Sequence, residues 1–193
     1  MEIQVYLLKF FQKYGAYLLV YLLYKYRERY DRSPTKTKLL KLAYLGELVF
    51  YRFHRKRLTN ADWIYYLFGP WTKSYDVTLE SGPFELEKGS EPDSEAHFVK
   101  LLDVPEPHLT FDEKVALSGV VADFGNWELN QLLDHVYFDT EPMLVVQERG
   151  DKIDFSTAKP ADFFRRPQVS LDQKTLAKIR EKYRAMLRNA KEL

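Results

Sequence analysis

Residues 35–51, TKTKLLKLAYLGELVFY, constrain the fold more than any other stretch, because they have helical periodicity yet are apolar almost all the way round. Lysines occur only toward the start, and one acid, Glu47, interrupts the rest. A helix with one apolar stripe lies on a surface, whereas a helix apolar on every side must be enclosed by other elements. The stretch therefore predicts a helix in the middle of a bundle. A second stretch, Tyr65-Tyr-Leu-Phe-Gly-Pro-Trp71, ends an aromatic run with a Gly-Pro dipeptide, expected to stop regular structure and fix a turn. Neither stretch holds a nucleophile beside a base. Both read as a buried scaffold that positions a surface.

Around this centre the pattern is helical. Residues 3–30 predict a long first helix, from Leu7, Phe10, Tyr14, Leu18, Tyr21 and Tyr24 at three- and four-residue spacing, weakened near its middle by Gly15. A break at 31–34 follows, and Ser33 or Thr35 can cap the central helix, which extends to about Arg57. On that helix Leu39, Leu42, Ala43, Gly46, Val49, Phe50 and Phe53 share a core face, where small Gly46 admits close approach by a neighbour. Lys38, Lys41, Arg52 and Lys56 gather on another face, interleaved with Leu45 and Leu48.

Residues 60–68 suit either a strand or a helix, and a helix is expected over 72–81. Alternating Phe84-Glu-Leu-Glu87 predicts a short strand between Gly-Pro punctuation and an acidic loop at 91–95. Thr110 opens a helix to about Phe124, Asn126 caps the next, and Thr140-Glu-Pro142 starts a short one that Gly150 ends. Residues 152–167 read as an extended connector. Ser170-Leu-Asp-Gln173 is a capping-box pattern opening a terminal helix, with Leu176, Ile179, Tyr183, Met186 and Ala190 on one stripe and Arg180, Arg184 and Arg188 on another. The expected fold is mainly α: a helical domain over 1–150 with a minor β element, and a connector plus C-terminal amphipathic helix, 151–193, packed on it.

A net charge of +1 conceals segregation: residues 1–60 carry +9, residues 61–163 carry −14, and residues 164–193 carry +6. Such blocks neutralise one another on folding, meet a charged protein partner, or bind nucleic acid. The absence of cysteine excludes disulfides and thiolate ligands and fits a reducing cytoplasm. The longest uncharged apolar run, 15–24, is too short to span a bilayer, and no signal-peptide pattern precedes it, so a cytoplasmic location is expected.

Candidate chemistry is sparse. His54, His97, His108 and His135 stand apart without ligand spacing, and the glycines form no phosphate loop. Glu47 is read as the partner of a basic side chain on a neighbouring helix. No catalytic, metal or cofactor site is expected. Arg52-Phe-His-Arg-Lys-Arg57 packs four cations into six residues, so Arg55, Lys56 and Arg57 are candidates for contact with a partner or with phosphates. Trp63, Tyr65, Tyr66, Phe68 and Trp71 form an aromatic cluster in which Tyr66, Phe68 and Trp71 are candidates for a protein interface.

Lys38-Leu-Leu-Lys-Leu-Ala-Tyr-Leu45, followed by aromatic-Gly-Pro at 68–70, resembles the Panacea domain, the family of SocA-like antitoxins. The resemblance covers about residues 15–141, with Trp71 where valine is usual and Thr140-Glu-Pro-Met143 similar to one branch. Its motif falls on Lys38, Leu39, Lys41, Leu42, Tyr44, Gly69 and Pro70. It implies a non-enzymatic module that neutralises a toxin-like partner by direct binding or serves as a proteolytic adaptor. The alternative is a small nucleic-acid-binding protein using its basic terminal helices.

Overall fold

A computed structural model describes residues 15–90 and 95–161. The expected first-helix residues before Gly15 and the terminal helix with its arginine stripe lie outside the described residues. Helix α1 spans Ala16–Tyr30 and α2 Lys36–His54; strands β1 (Ile64–Tyr66) and β2 (Gly69–Trp71) form a hairpin; α3 is Lys73–Ser81. A second antiparallel hairpin pairs β3 (Phe84–Lys88) with β4 (His97–Leu101), Phe84 opposite Leu101. Helices α4 (Phe111–Phe124), α5 (Leu129–Phe138) and α6 (Glu141–Val145) follow, then a 3-10 turn, Phe155–Thr157. The described fold is mainly α with two small β hairpins.

Local chemistry explains most boundaries. Gly15, at φ 77°, adopts the left-handed conformation that starts α1. Thr35, not Ser33, caps α2 by accepting from the Lys38 backbone N–H at 3.3 Å. That helix ends at His54, short of Arg57, because Arg55 turns left-handed at φ 54° and closes it with an N–H bond to the Tyr51 carbonyl. A complete Thr110–Glu113 capping box opens α4. Glu128, not Asn126, precedes α5. The short α6 stops at Val146, ahead of Gly150.

The central helix is enclosed as its composition demands: every residue from Leu39 to Leu48 is buried. Helix α4 crosses it at Gly46, where a Cβ would lie 2.6 Å from Leu117 Cδ2. Helix α1 packs against α4, with the Tyr30 hydroxyl donating to the Val121 carbonyl at 2.9 Å and Tyr21 meeting Ser118 at 3.1 Å. Four expectations need correction. Lys41, grouped with Lys38, Arg52 and Lys56 on a face apart from the core, is itself in the core and only 2% exposed. Tyr24 and Phe53, assigned to apolar faces, are partly in solvent. Residues 152–158 are not a bare connector, since Ile153, Phe155 and Ala158 enter the core. Gly69-Pro70 is not the turn: Leu67 and Phe68 turn, and Gly69-Pro70-Trp71 is the returning strand.

Candidate functional site

The motif residues of α2 work as spokes. Each helical residue advances about 100°, so a three-residue step rotates a side chain by about −60°, and positions 38, 41, 44 and 47 fan across half the helix circumference. Lys38 Nζ donates to the Trp127 carbonyl at 2.6 Å and to the Gly125 carbonyl at 3.4 Å, tying down the end of α4. Lys41 Nζ donates to the Pro70 carbonyl at 2.9 Å, and burial pulls its pKa down to about 7. Thr140 gives its hydroxyl proton to the Val136 carbonyl at 2.6 Å, so Tyr44 is the donor in the 3.2 Å contact between the two hydroxyls at the α5–α6 junction. Leu39 and Leu42, on the other half of the circumference, are fully buried.

Glu47, also fully buried, accepts from Arg57 Nε at 2.9 Å, from the Thr59 N–H at 3.4 Å and from the Thr59 hydroxyl. Its cationic partner is therefore on the loop just after α2 and not on a neighbouring helix. The basic run is mostly engaged in this way. Arg52 pairs with Glu141 of α6. Arg55 donates to the Ala158 carbonyl at 2.7 Å and covers the Tyr51 ring at 4.6 Å. Arg57 also donates to the Ala61 carbonyl and lies 4.0 Å over the Phe155 ring. Lys56 is exposed. These arginines clamp the 155–158 segment to the end of α2.

The β1–β2 hairpin carries the exposed aromatics. Gly69 has φ 89°, a conformation that L side chains rarely adopt, and faces Tyr137 ring atoms 3.3–3.5 Å from where a Cβ would stand. The outward-facing backbone of the central pair, Tyr65 and Pro70, is fully used. Tyr65 donates to the Asp151 carbonyl and accepts from the Gly150 N–H, while Pro70, which has no N–H, gives its carbonyl to Lys41. On this frame Phe68 is 47% and Tyr66 39% exposed, and Trp71 is half-buried. The Tyr66 and Trp71 rings lie 5.4 Å apart, and Arg149 covers Tyr66 at 4.5 Å. Trp71 Nε1 donates to Asp76 at 2.8 Å, and Lys36 holds the other oxygen of that carboxylate, so the indole is locked in place.

The structure thus brings Tyr66 and Trp71 together, with Phe68 in the turn of the same hairpin, and places Arg55 and Arg57 in a separate clamp. Arg149 was missed because it stands 83 residues from Tyr66 in sequence; the alternation of Ile153 and Phe155 was the available sign that the chain returns to the core nearby. The four histidines remain apart: His54 stacks on Phe50, His135 on Phe124, and His97 contacts the Glu95 carbonyl. Among the described residues, no group of three or more metal-ligating side chains comes together, and no helix is long and apolar enough to cross a membrane. Comparison of the chain with family models, curated proteins and solved structures finds no match.

Proposed function

We propose that this chain is a non-catalytic protein-interaction module of the Panacea type, which neutralises a toxin-like partner in the cytoplasm by direct contact or presents it to a protease as an adaptor. The observation that carries this reading is the aromatic group Tyr66, Phe68 and Trp71, displayed on a hairpin whose backbone is anchored to the central helix. Tyr, Trp and Phe supply large contact area on few rotatable bonds, and a fixed frame lowers the entropy lost on binding. The motif residues Lys38, Leu39, Lys41, Leu42, Tyr44, Gly69 and Pro70 then form the seat of the contact surface and not the surface itself.

Nucleic-acid binding through the basic run is the second reading. The engagement of Arg52, Arg55 and Arg57 with Glu141, backbone carbonyls and Glu47 favours the first, because these guanidiniums are already committed within the fold. Co-expression with the product of an adjacent small reading frame tests both. The antitoxin-like reading expects rescue of growth that is lost on Phe68→Asp with the fold intact. Tight binding of mixed-sequence DNA or RNA at about 150 mM salt, where exposed charges are already screened over about 8 Å, reverses the ranking.

A further inference from the structure

The two edges of the β3–β4 hairpin differ. In an antiparallel pair the backbone groups of successive residues point alternately toward the partner strand and away from it. The Gly89 N–H donates to the Ala96 carbonyl and the Leu102 N–H to the Pro83 carbonyl. Positions 83, 85, 87 and 89 therefore face β4, while Phe84, Leu86 and Lys88 turn their N–H and C=O groups to the other side. On β4 the same alternation turns Val99 outward, where its N–H donates to the Pro34 carbonyl at 2.9 Å and Thr35 bridges to Phe98. The chain just before α2 thus closes the β4 edge. Along the β3 edge, among the described residues, no backbone group pairs with the outward groups of Phe84, Leu86 or Lys88.

The side chains agree. Leu86 stands opposite Val99 and shares its face of the hairpin. Val99 is fully buried, whereas Leu86 is 37% exposed, because backbone flanks Val99 on both sides and Leu86 on one. Glu85 and Glu87 stand on the opposite face, and they share one cation: Lys100 lies across from Glu85 and bonds Glu87. A second copy of the chain fits this edge badly. With Leu86 set against Leu86 in an antiparallel pair, Glu85 meets Glu87, and a shift of two residues either way sets one of the glutamates against itself. Like charges directly opposite one another are destabilising, whereas opposite charges there are favourable. The charges that keep copies apart select a cationic strand.

We propose that the outer edge of β3 is a docking edge for an extended segment of another protein with a basic–apolar–basic alternation. The segment adds beside β3 as a further strand, its cations against Glu85 and Glu87 and its apolar side chain beside Leu86. Main-chain bonds to Phe84, Leu86 and Lys88 supply affinity, and the side chains on the two faces supply the choice of partner. None of these residues belongs to the β1–β2 hairpin, so this edge stands independently of the aromatic surface there.

The probe is a fluorescein-labelled peptide of alternating lysine and valine, titrated against the full chain and read by anisotropy. Saturable binding is expected. N-methylation of the valine nitrogens and of the lysine nitrogens should act unequally, one of the two weakening binding about tenfold or more, because a paired strand turns only alternate residues toward its neighbour. Exchanging the charges, Glu85→Lys with Glu87→Lys, is expected to weaken the lysine peptide about tenfold and to favour its glutamate–valine counterpart. The methylation comparison uses the unaltered chain, so it decides the matter even where the exchanged variant does not fold. Equal binding of the two methylated peptides, or no binding at about millimolar peptide, overturns the proposal. A folded exchanged variant that still prefers the lysine peptide overturns it as well.

Discussion

Lys41 and Pro70, 29 residues apart, are joined by a buried 2.9 Å hydrogen bond from an ammonium with no carboxylate beside it to a carbonyl whose residue has no N–H. Burial lowers the Lys41 pKa from 10.5 to about 7, so between those values the unfolded chain holds a proton that the folded chain has released. Stability therefore climbs as pH rises from about 7, because the unfolded state binds the additional proton. Burial raises the pKa of Tyr44 and Tyr75, and their ionisation in the unfolded chain opposes the trend above about pH 10. Denaturant melts between pH 7 and 9 should show the rise, and Lys41→Met should abolish it while costing about 1–3 kcal/mol for the orphaned carbonyl. A pH-independent difference between the two proteins would contradict this assignment.

At Gly69, valine has to adopt φ 89° and place its Cβ against the Tyr137 ring. Gly69→Val should cost about 1–3 kcal/mol from backbone strain, with crowding added. Gly150→Ala is the control, since its φ of 98° carries strain but its surroundings are open. Chemical denaturation should rank Gly69→Val as the more damaging.

Leu42→Ala removes a fully buried side chain from the enclosed helix and should cost about 2–5 kcal/mol. The loss should appear in the denaturation midpoint with the slope unchanged. A loss below about 0.5 kcal/mol, the size of an ordinary surface substitution, would contradict the packing described for α2.

Arg57→Ala leaves Glu47 buried without its cation and should destabilise the fold by about 3 kcal/mol, the Thr59 contacts remaining. Lys56→Ala, at an exposed position, should change stability by no more than about 0.5 kcal/mol. Lys56 is thus the clean probe of phosphate binding in the basic run, whereas a triple alanine variant at 55–57 mixes lost charge with lost structure. Thermal melts of the two single variants separate these effects.

Phe68→Asp and Tyr66→Ala change exposed side chains and should leave the melting transition nearly where it is while removing partner binding. Binding that survives both with the fold intact would move the interface off the hairpin. Circular dichroism and a pull-down on the same preparations decide it.

The enclosed α2 was legible in the sequence because an all-apolar surround leaves one packing solution, and Thr110 announced α4 as an N-cap. Lys41 was not legible: a lysine on a helix ordinarily reads as solvent-facing, and only the tertiary placement of the Pro70 carbonyl reverses that. Strand β4 escaped notice because its five residues, between an acidic loop and two prolines, acquire a strand identity only by pairing with Phe84–Lys88. Gly69-Pro70 shows the limit of punctuation rules. The dipeptide does mark a special backbone, but Leu67 and Phe68, without turn-forming character, make the reversal because the strands on either side are held in register. The aromatic surface was foreseeable as composition, whereas which rings face outward depended on that register.

The occupied edges of the β1–β2 hairpin limit how anything can be recognised there. Residues 150–153 cover the β1 side, and at the middle of β2 a proline offers no donor while its acceptor is taken by Lys41. A visiting strand finds no ladder to extend, so main-chain pairing, the usual route by which exposed hairpins capture peptides or aggregate, is closed. Affinity at this hairpin has to come from side-chain shape and stacking on Tyr66, Phe68 and Trp71. A partner bound there as proposed should tolerate N-methylation of its backbone but not the loss of its apolar side chains.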